Sequence, residues 1–144
     1  MKLSSCINYL LTVSQHEVYQ RFQTQLSAYG ITPRQYGVLN VLWQSETGFA
    51  TPKEIANTLR LDTSTVSSAL DKLQKQGLIH RSLDENDWRS IRVGPTEAGL
   101  ALRDDVLSTI EALNREFAAS FAPEEWEALL SFLKKLGKVE DVSI

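Results

Sequence analysis

Five short hydroxyl side chains stand within six positions: Thr63, Ser64, Thr65, Ser67 and Ser68. A hydroxyl both donates and accepts, and a short one lets the backbone come close to whatever it touches. Such residues suit the edges of nucleic-acid bases, where a threonine methyl can also meet the thymine methyl. The same residue types serve as caps in the first turn of a helix, so the run alone leaves both readings open. Arg89 lies further along, within Asp87-Trp88-Arg89-Ser90. On a projecting hairpin, its guanidinium could enter a narrow minor groove, where negative potential concentrates. Asp87, two residues earlier, can share the same side of the hairpin and orient that guanidinium. An exposed ion pair there would add only about 0–1 kcal/mol to stability, which favours a functional reading. Arg60, Lys72, Lys75 and Arg92 are candidates for phosphate contacts, although each alone is an ordinary solvated charge.

Other chemistry finds little support. His16 and His80 are the two histidines, and neither sits in a metal-binding or glycine-rich phosphate-binding pattern. No metal, no cofactor and no enzyme are expected. Cys6 and His16 on one helix would stand about 15 Å apart, beyond hydrogen-bond reach as a nucleophile and base. Cys6 near a helix start could have a lowered pKa and act as a redox switch. A free cysteine in such a place also serves as a small apolar packing residue.

These side chains need elements to hold them. The chain has 144 residues, 42% hydrophobic and 23% charged, enough for one ordinary domain without disulfides or metal. The single cysteine suits a reducing cytoplasm, and no signal peptide or spanning segment is read. Ile7, Leu10, Leu11, Val18, Phe22, Leu26 and Tyr29 recur at helical steps over 5–29, and Gly30 stops that helix. Thr32-Pro33-Arg34-Gln35 and Thr51-Pro52-Lys53-Glu54 each read as a capping box with proline at the first helical position. The first box opens a helix apolar on most sides, the expected centre of the core. The second opens a short helix to Leu59. Asp62 caps the next helix, which runs to Gln76 and stops at Gly77. Two helices joined by Arg60-Leu61-Asp62 have helix-turn-helix arithmetic.

The period then becomes two. Ile79, Arg81 and Leu83, then Ile91 and Val93, flank a polar turn over 84–90, which predicts a β-hairpin. Thr96 caps a helix over 97–119, and Pro123 opens a last one with Trp126, Leu129, Leu130, Leu133 and Leu136 on one stripe. Ala122 is a poor cap and costs that helix about 1 kcal/mol. The fold expected is mainly α with one small hairpin. The outer helices carry more apolar surface than one small winged helix can cover, so a second copy of the chain is expected to cover them.

The run Asp62-Thr63-Ser64-Thr65-Val66-Ser67-Ser68, then Gly77-Leu78-Ile79-His80-Arg81, Asp87-Trp88-Arg89-Ser90 and Thr96-Glu97-Ala98-Gly99, resembles the MarR family of bacterial transcription regulators. The resemblance spans nearly the whole chain, and Asp-x-Arg-Ser with Thr-x-x-Gly is its most specific part. Two departures are visible: Gly94-Pro95 in place of an apolar strand end, and Ser68 where many relatives carry arginine. The resemblance implies one domain over 1–144, with a winged helix-turn-helix at 30–95 and dimerisation helices at 1–29 and 96–144. It implies a homodimer on a pseudo-palindromic double-stranded DNA operator, with helix 62–76 in the major groove and the hairpin in the minor groove. DNA contacts are then expected from Thr63, Ser64, Thr65, Ser67, Ser68, Lys72, Asp87, Arg89 and Arg92. Many relatives are released by small aromatic anions. Tyr9, His16, Tyr36 and Trp43 would line such a ligand pocket here, with Arg21 meeting a carboxylate. Thiol-based oxidant sensing through Cys6, or a protein-interaction module without operator binding, is the alternative.

The net charge of −3 stands against a DNA partner until it is divided by segment. Residues 51–95 hold seven basic and six acidic side chains, a net of +1, while the rest hold eight and twelve, a net of −4. The acidic excess therefore lies away from the segment that would face DNA.

Overall fold

A computed structural model of the chain describes residues 1–87 and 89–140. Trp88, which the sequence places in the hairpin turn, lies outside the described residues. The elements run α1 (Ile7–Leu26), α2 (Pro33–Gln44), α3 (Pro52–Leu59), α4 (Thr63–Lys75), β1 (Ile79–Leu83), β2 (Ile91–Pro95), α5 (Glu97–Ala101), α6 (Arg103–Ala118) and α7 (Pro123–Gly137). The fold is mainly α with a two-stranded antiparallel hairpin, a winged helix-turn-helix flanked by outer helices.

Both capping boxes form as the sequence predicts. Thr32 Oγ1 accepts from Gln35 N–H while Gln35 Oε1 accepts from Thr32 N–H. Thr51 and Glu54 do the same for α3. At α7, Glu125 accepts from Ala122 N–H, so half of a box survives where the alanine offers no acceptor. The chain reverses at Gly30 and Gly77, both with left-handed φ. The helix expected as one piece over 97–119 breaks at Leu102 into α5 and α6.

The core sits inside the winged helix. Val38, Leu39, Val41 and Leu42 of α2 are buried against Ile55, Val66, Leu70, Leu73, Ile79 and Val93. Leu26 of α1 and Val106, Ile110 and Leu113 of α6 close it from the other side. Gln35 is the one buried polar residue in this group. Its Nε2 donates to Gln76 Oε1 at 2.9 Å, and Gln76 Nε2 donates to Gly30 O at 2.7 Å. That chain of amides ties the start of α2 to the end of α4, and nothing in the sequence pattern announces it.

The hairpin register pairs Ile79 with Pro95, Arg81 with Val93 and Leu83 with Ile91. Only its base is buried, because Leu83 and Ile91 are exposed near the turn. Ala50 adds a third short edge that the sequence did not reveal, exchanging N–H···O bonds of 2.9 and 2.8 Å with Val93. Phe49 beside it explains Gly94: a Cβ there would meet the Phe49 ring at 2.9 Å. Gly99 has a stricter reason, because its Cβ would lie 2.1 Å from Leu78 O. Thr96 meanwhile accepts from Gly99 N–H and donates its own hydroxyl to Gly77 O. The Thr-x-x-Gly signature is thus a packing joint between the hairpin and α5.

The outer helices contrast with this core. Of the twenty residues of α1 only Leu26 is buried, and α7 buries none. Ile7 is 59% exposed, Phe132 59% and Leu136 58%. Tyr29 holds α1's end to α6 through its hydroxyl, 2.6 Å from Thr109 Oγ1 and donating to Asp105 O at 3.2 Å. No helix among the described residues is long and apolar enough to cross a membrane.

Candidate nucleic-acid interface

Helix α4 presents its hydroxyls because Asp62 fixes where it begins. The Asp62 carboxylate accepts from Thr65 N–H at 2.7 Å and from Ser64 Oγ at 2.8 Å. Hydrogen bonds from Thr65 and Ser64 stabilise the charged carboxylate and hold its pKa down at about 2. Val66, Ala69, Leu70 and Leu73 face the core, which leaves Thr63, Ser64, Ser67, Ser68 and Lys72 exposed on the outer faces and Thr65 half-buried. The hydroxyl run therefore serves both readings at once: its first members complete the cap, and the others remain available.

The hairpin tip is built by Asp87. Its Oδ1 accepts from the backbone N–H of Arg89 at 3.1 Å, and its Oδ2 accepts from Ser90 Oγ at 3.1 Å. Ser90 N–H donates to Asp87 O, and Asp84 N–H donates to Ser90 O. The sequence suggested that Asp87 orients the Arg89 guanidinium. The bonds above make it the clasp of the turn, so that it positions Arg89 through the main chain. An aspartate two or three residues before the groups it accepts from is the normal geometry of such turns. Arg89 and Ser90 then line one cleft with Lys53, Asn57, Asp62 and Thr63, a space of about 720 Å³ between the wing and the start of α4. Hairpin tip and recognition helix thus face a common opening.

Other cations are committed elsewhere. Arg81 donates to Asp71 at 2.6 Å and Gln74 at 2.7 Å, locking β1 to α4. Arg92 is not extended into solvent as a phosphate contact would be. Its guanidinium carbon lies 4.3 Å from the Phe49 ring centre, and its buried Nε has no hydrogen-bond partner. Arg60 is likewise redirected: it adopts a left-handed backbone in the turn between α3 and α4, and its guanidinium donates to Gly137 O and Lys138 O at the end of α7. Lys72 keeps to the open side of α4, in a second cleft described below.

The five residues expected around a ligand each have surroundings of their own. Arg21 is held by Glu116 at 2.8 Å, and Trp43 Nε1 donates to Gly99 O at 3.1 Å. Tyr36 accepts from Asn40 at 3.3 Å; burial pushes its phenol above the usual 10, partly offset by that bond. Tyr9 and His16 lie exposed on α1. The aromatic spacing reflected packing in the cases of Trp43 and Tyr36. An apolar cleft of about 520 Å³ opens instead between Leu11, Val18, Phe22, Pro33 and Leu133. Cys6 is half-buried at the start of α1, where its N–H donates to Leu3 O and its carbonyl accepts from Leu10 N–H.

A winged helix-turn-helix with a hydroxyl-rich recognition helix and an arginine-tipped wing defines a DNA-binding protein. The comparisons narrow this further. The pattern of the MarR family matches residues 29–90. The organic hydroperoxide resistance transcriptional regulator of Bacillus subtilis is 34% identical over 119 residues, covering 81% of this chain and 80% of that one. The regulator PecS of Dickeya dadantii is 30% identical, covering 78% of this chain and 68% of PecS. The MepR–DNA complex of S. aureus superposes with a TM-score of 0.85 at 27% identity, covering 94% and 98% of the two chains. CouR of Rhodococcus jostii, solved with p-coumaroyl-CoA, gives 0.83 at 26% identity and covers 99% of each. The chain belongs to the MarR family of DNA-binding transcription regulators.

Proposed function

We propose that the chain is a homodimeric repressor of a pseudo-palindromic operator, released by a small aromatic or otherwise hydrophobic ligand. The observation that carries the DNA-reading part is the shared cleft: Thr63 of α4 and Arg89 of the wing line one opening. In this reading α4 enters the major groove with Ser64, Thr65, Ser67 and Ser68 near the base edges. Arg89 enters the flanking minor groove, its backbone held by Asp87. Residues 30–95 form the reading head, and 1–29 with 96–144 form the dimer layer of a single domain. The exposed apolar faces of α1 and α7 support that layer, since surfaces of this kind are usually covered by a partner. A cytoplasmic regulator without catalytic activity fits the same reading.

The apolar cleft bordered by Leu11, Phe22 and Leu133 is the place we assign to the effector, at the seam of α1, α2 and α7. The structure solved for CouR carries a ligand with an aromatic acyl group, which supports the ligand class. A second reading is favoured by the name of the Bacillus relative: a thiol-based oxidant switch through Cys6. Peroxide treatment separates the two. Release of DNA by wild type but not by Cys6→Ser protein establishes the thiol switch, and equal behaviour of both removes it. For the main reading, operator DNA is selected from a random pool with the purified protein. Binding that drops at least tenfold in Arg89→Ala is expected. Failure to enrich any sequence would favour a protein-interaction module instead.

A further inference from the structure

A second cleft, of about 400 Å³, opens on the other side of α4 from the wing. Ser64, Ser68 and Lys72 line one wall, Thr32, Arg34 and Gln35 at the start of α2 line the other, and Tyr19 of α1 closes the end. Ser64, Ser68 and Lys72 are spaced by four and therefore form a single stripe along α4. The stripe begins with small hydroxyls and ends with a cation. Ser68 leaves the middle of the cleft open, so positive charge must come from the walls at Arg34 and Lys72. The positive end of the α2 dipole adds to it.

The charge ledger leaves both of these residues uncommitted. Arg21, Arg81 and Arg103 sit in ion pairs. Arg60 is taken by α7 carbonyls and Arg92 by Phe49. Arg34 and Lys72 are both exposed, and neither has an ion-pair partner among the described residues. Arg34 lies near enough to Asp62 to favour its charged form, but that carboxylate is already occupied by Thr65 and Ser64. Two cations that face each other across a hydroxyl-lined cleft suit an oxyanion, and arginine offers it a forked donor.

Resting on the DNA-binding reading above, we infer that this cleft clamps a backbone phosphate of the operator, with Arg34 and Lys72 as its two cationic jaws and Ser68 as a hydroxyl donor. The clamp would fix α4 in register from the side opposite the wing, so that each protomer grips the duplex at two places. Arg34 comes from outside the helix-turn-helix, so counting charge over 51–95 misses it. With it, the +1 of that segment understates the cationic surface facing DNA.

The test is fluorescence anisotropy with a selected operator duplex and a scrambled duplex, from 50 to 200 mM KCl. Wild type is compared with Arg34→Gln, Lys72→Gln and Arg34→Lys. A phosphate contact carries no sequence information, so Arg34→Gln is expected to weaken both duplexes by a similar factor and keep their ratio. Losing one phosphate per protomer should flatten the salt slope by about 2 for a dimer, which makes the gap from wild type about tenfold larger at 50 mM than at 200 mM salt. Lys72→Gln should behave alike, and Arg34→Lys should regain most of the slope. Unchanged affinity and slope in Arg34→Gln would overturn the clamp while leaving the DNA-binding reading intact. A loss confined to the operator would overturn it too, since that marks base readout. Wild type that binds neither duplex defeats both readings. A last arm adds inorganic phosphate at constant ionic strength. No displacement beyond that by chloride is expected, whereas displacement abolished by Arg34→Gln would assign the cleft to a free anion instead of DNA.

Discussion

Helices α2 and α7 are of similar length and similarly rich in apolar residues, yet their fates differ completely. Five of the twelve residues of α2 are buried, while α7 buries none of its fifteen. Helix α2 is wrapped by α3, α4 and the hairpin. Helix α7 touches its own protomer at Leu133 and through the bonds from Arg60 to its last carbonyls. The winged helix is therefore a finished core, whereas α1 and α7 leave most of their apolar residues exposed.

This contrast can be broken at its strongest point first. Leu39→Ala in α2 should cost about 2–5 kcal/mol of unfolding free energy, read from urea denaturation, because a fully buried side chain leaves a cavity. Leu136→Ser in α7 should change protomer stability by no more than about 0.5 kcal/mol, as at other exposed sites. Its effect should appear instead in sedimentation velocity, as dissociation at a higher protein concentration than wild type. Equal destabilisation by the two substitutions would mean that α7 belongs to the protomer core after all.

Arg89→Ala should leave the melting temperature unchanged and weaken operator binding at least tenfold, about 1.4 kcal/mol or more, measured by anisotropy. Arg60→Ala sharpens the boundary between the two regions. It should cost no more than about 3 kcal/mol, since a charged guanidinium loses its bonds to two carbonyls. Amide exchange should quicken over 134–139 and stay unchanged in α2. Uniform quickening would place α7 in the same cooperative unit as the core.

The smallest effect concerns Asp62. Its carboxyl is held down at about 2, below its ordinary 3.8. A depressed acid stabilises the fold fully above its unfolded pKa and loses that contribution as pH falls through the folded one. The decline should lie between about pH 4 and pH 2. Asp62→Asn keeps a cap acceptor but no titration, so thermal melts of this variant should lack that component.

The sequence announces local geometry well. The capping boxes at Thr32 and Thr51, the Asp62 cap and the two hairpin strands follow from residue spacing, because each is decided within a few residues. What stayed hidden depends on distant pairs. Ala50 joins the hairpin edge through backbone bonds that any residue could make, and Gln35 meets Gln76 across 41 positions. Arg60 and Arg92 read as free cations because nothing local shows the carbonyls of α7 or the ring of Phe49. Asp87 also has a role that spacing alone does not show: it accepts from the backbone N–H of Arg89 and the hydroxyl of Ser90. The aromatic residues proposed as a ligand pocket share helical spacing with core residues, and spacing cannot distinguish the two uses. Arg34 stands in the sequence only as part of a capping box, although the fold brings it opposite Lys72.

The central claim is that α4 and the wing read one operator together. The most direct measurement is the affinity of wild type and Arg89→Ala for a selected operator and for a scrambled duplex at one salt concentration. The account predicts that wild type prefers the operator, with two protomers per duplex, and that Arg89→Ala loses at least tenfold on it. Identical binding of the two proteins to the operator would contradict it.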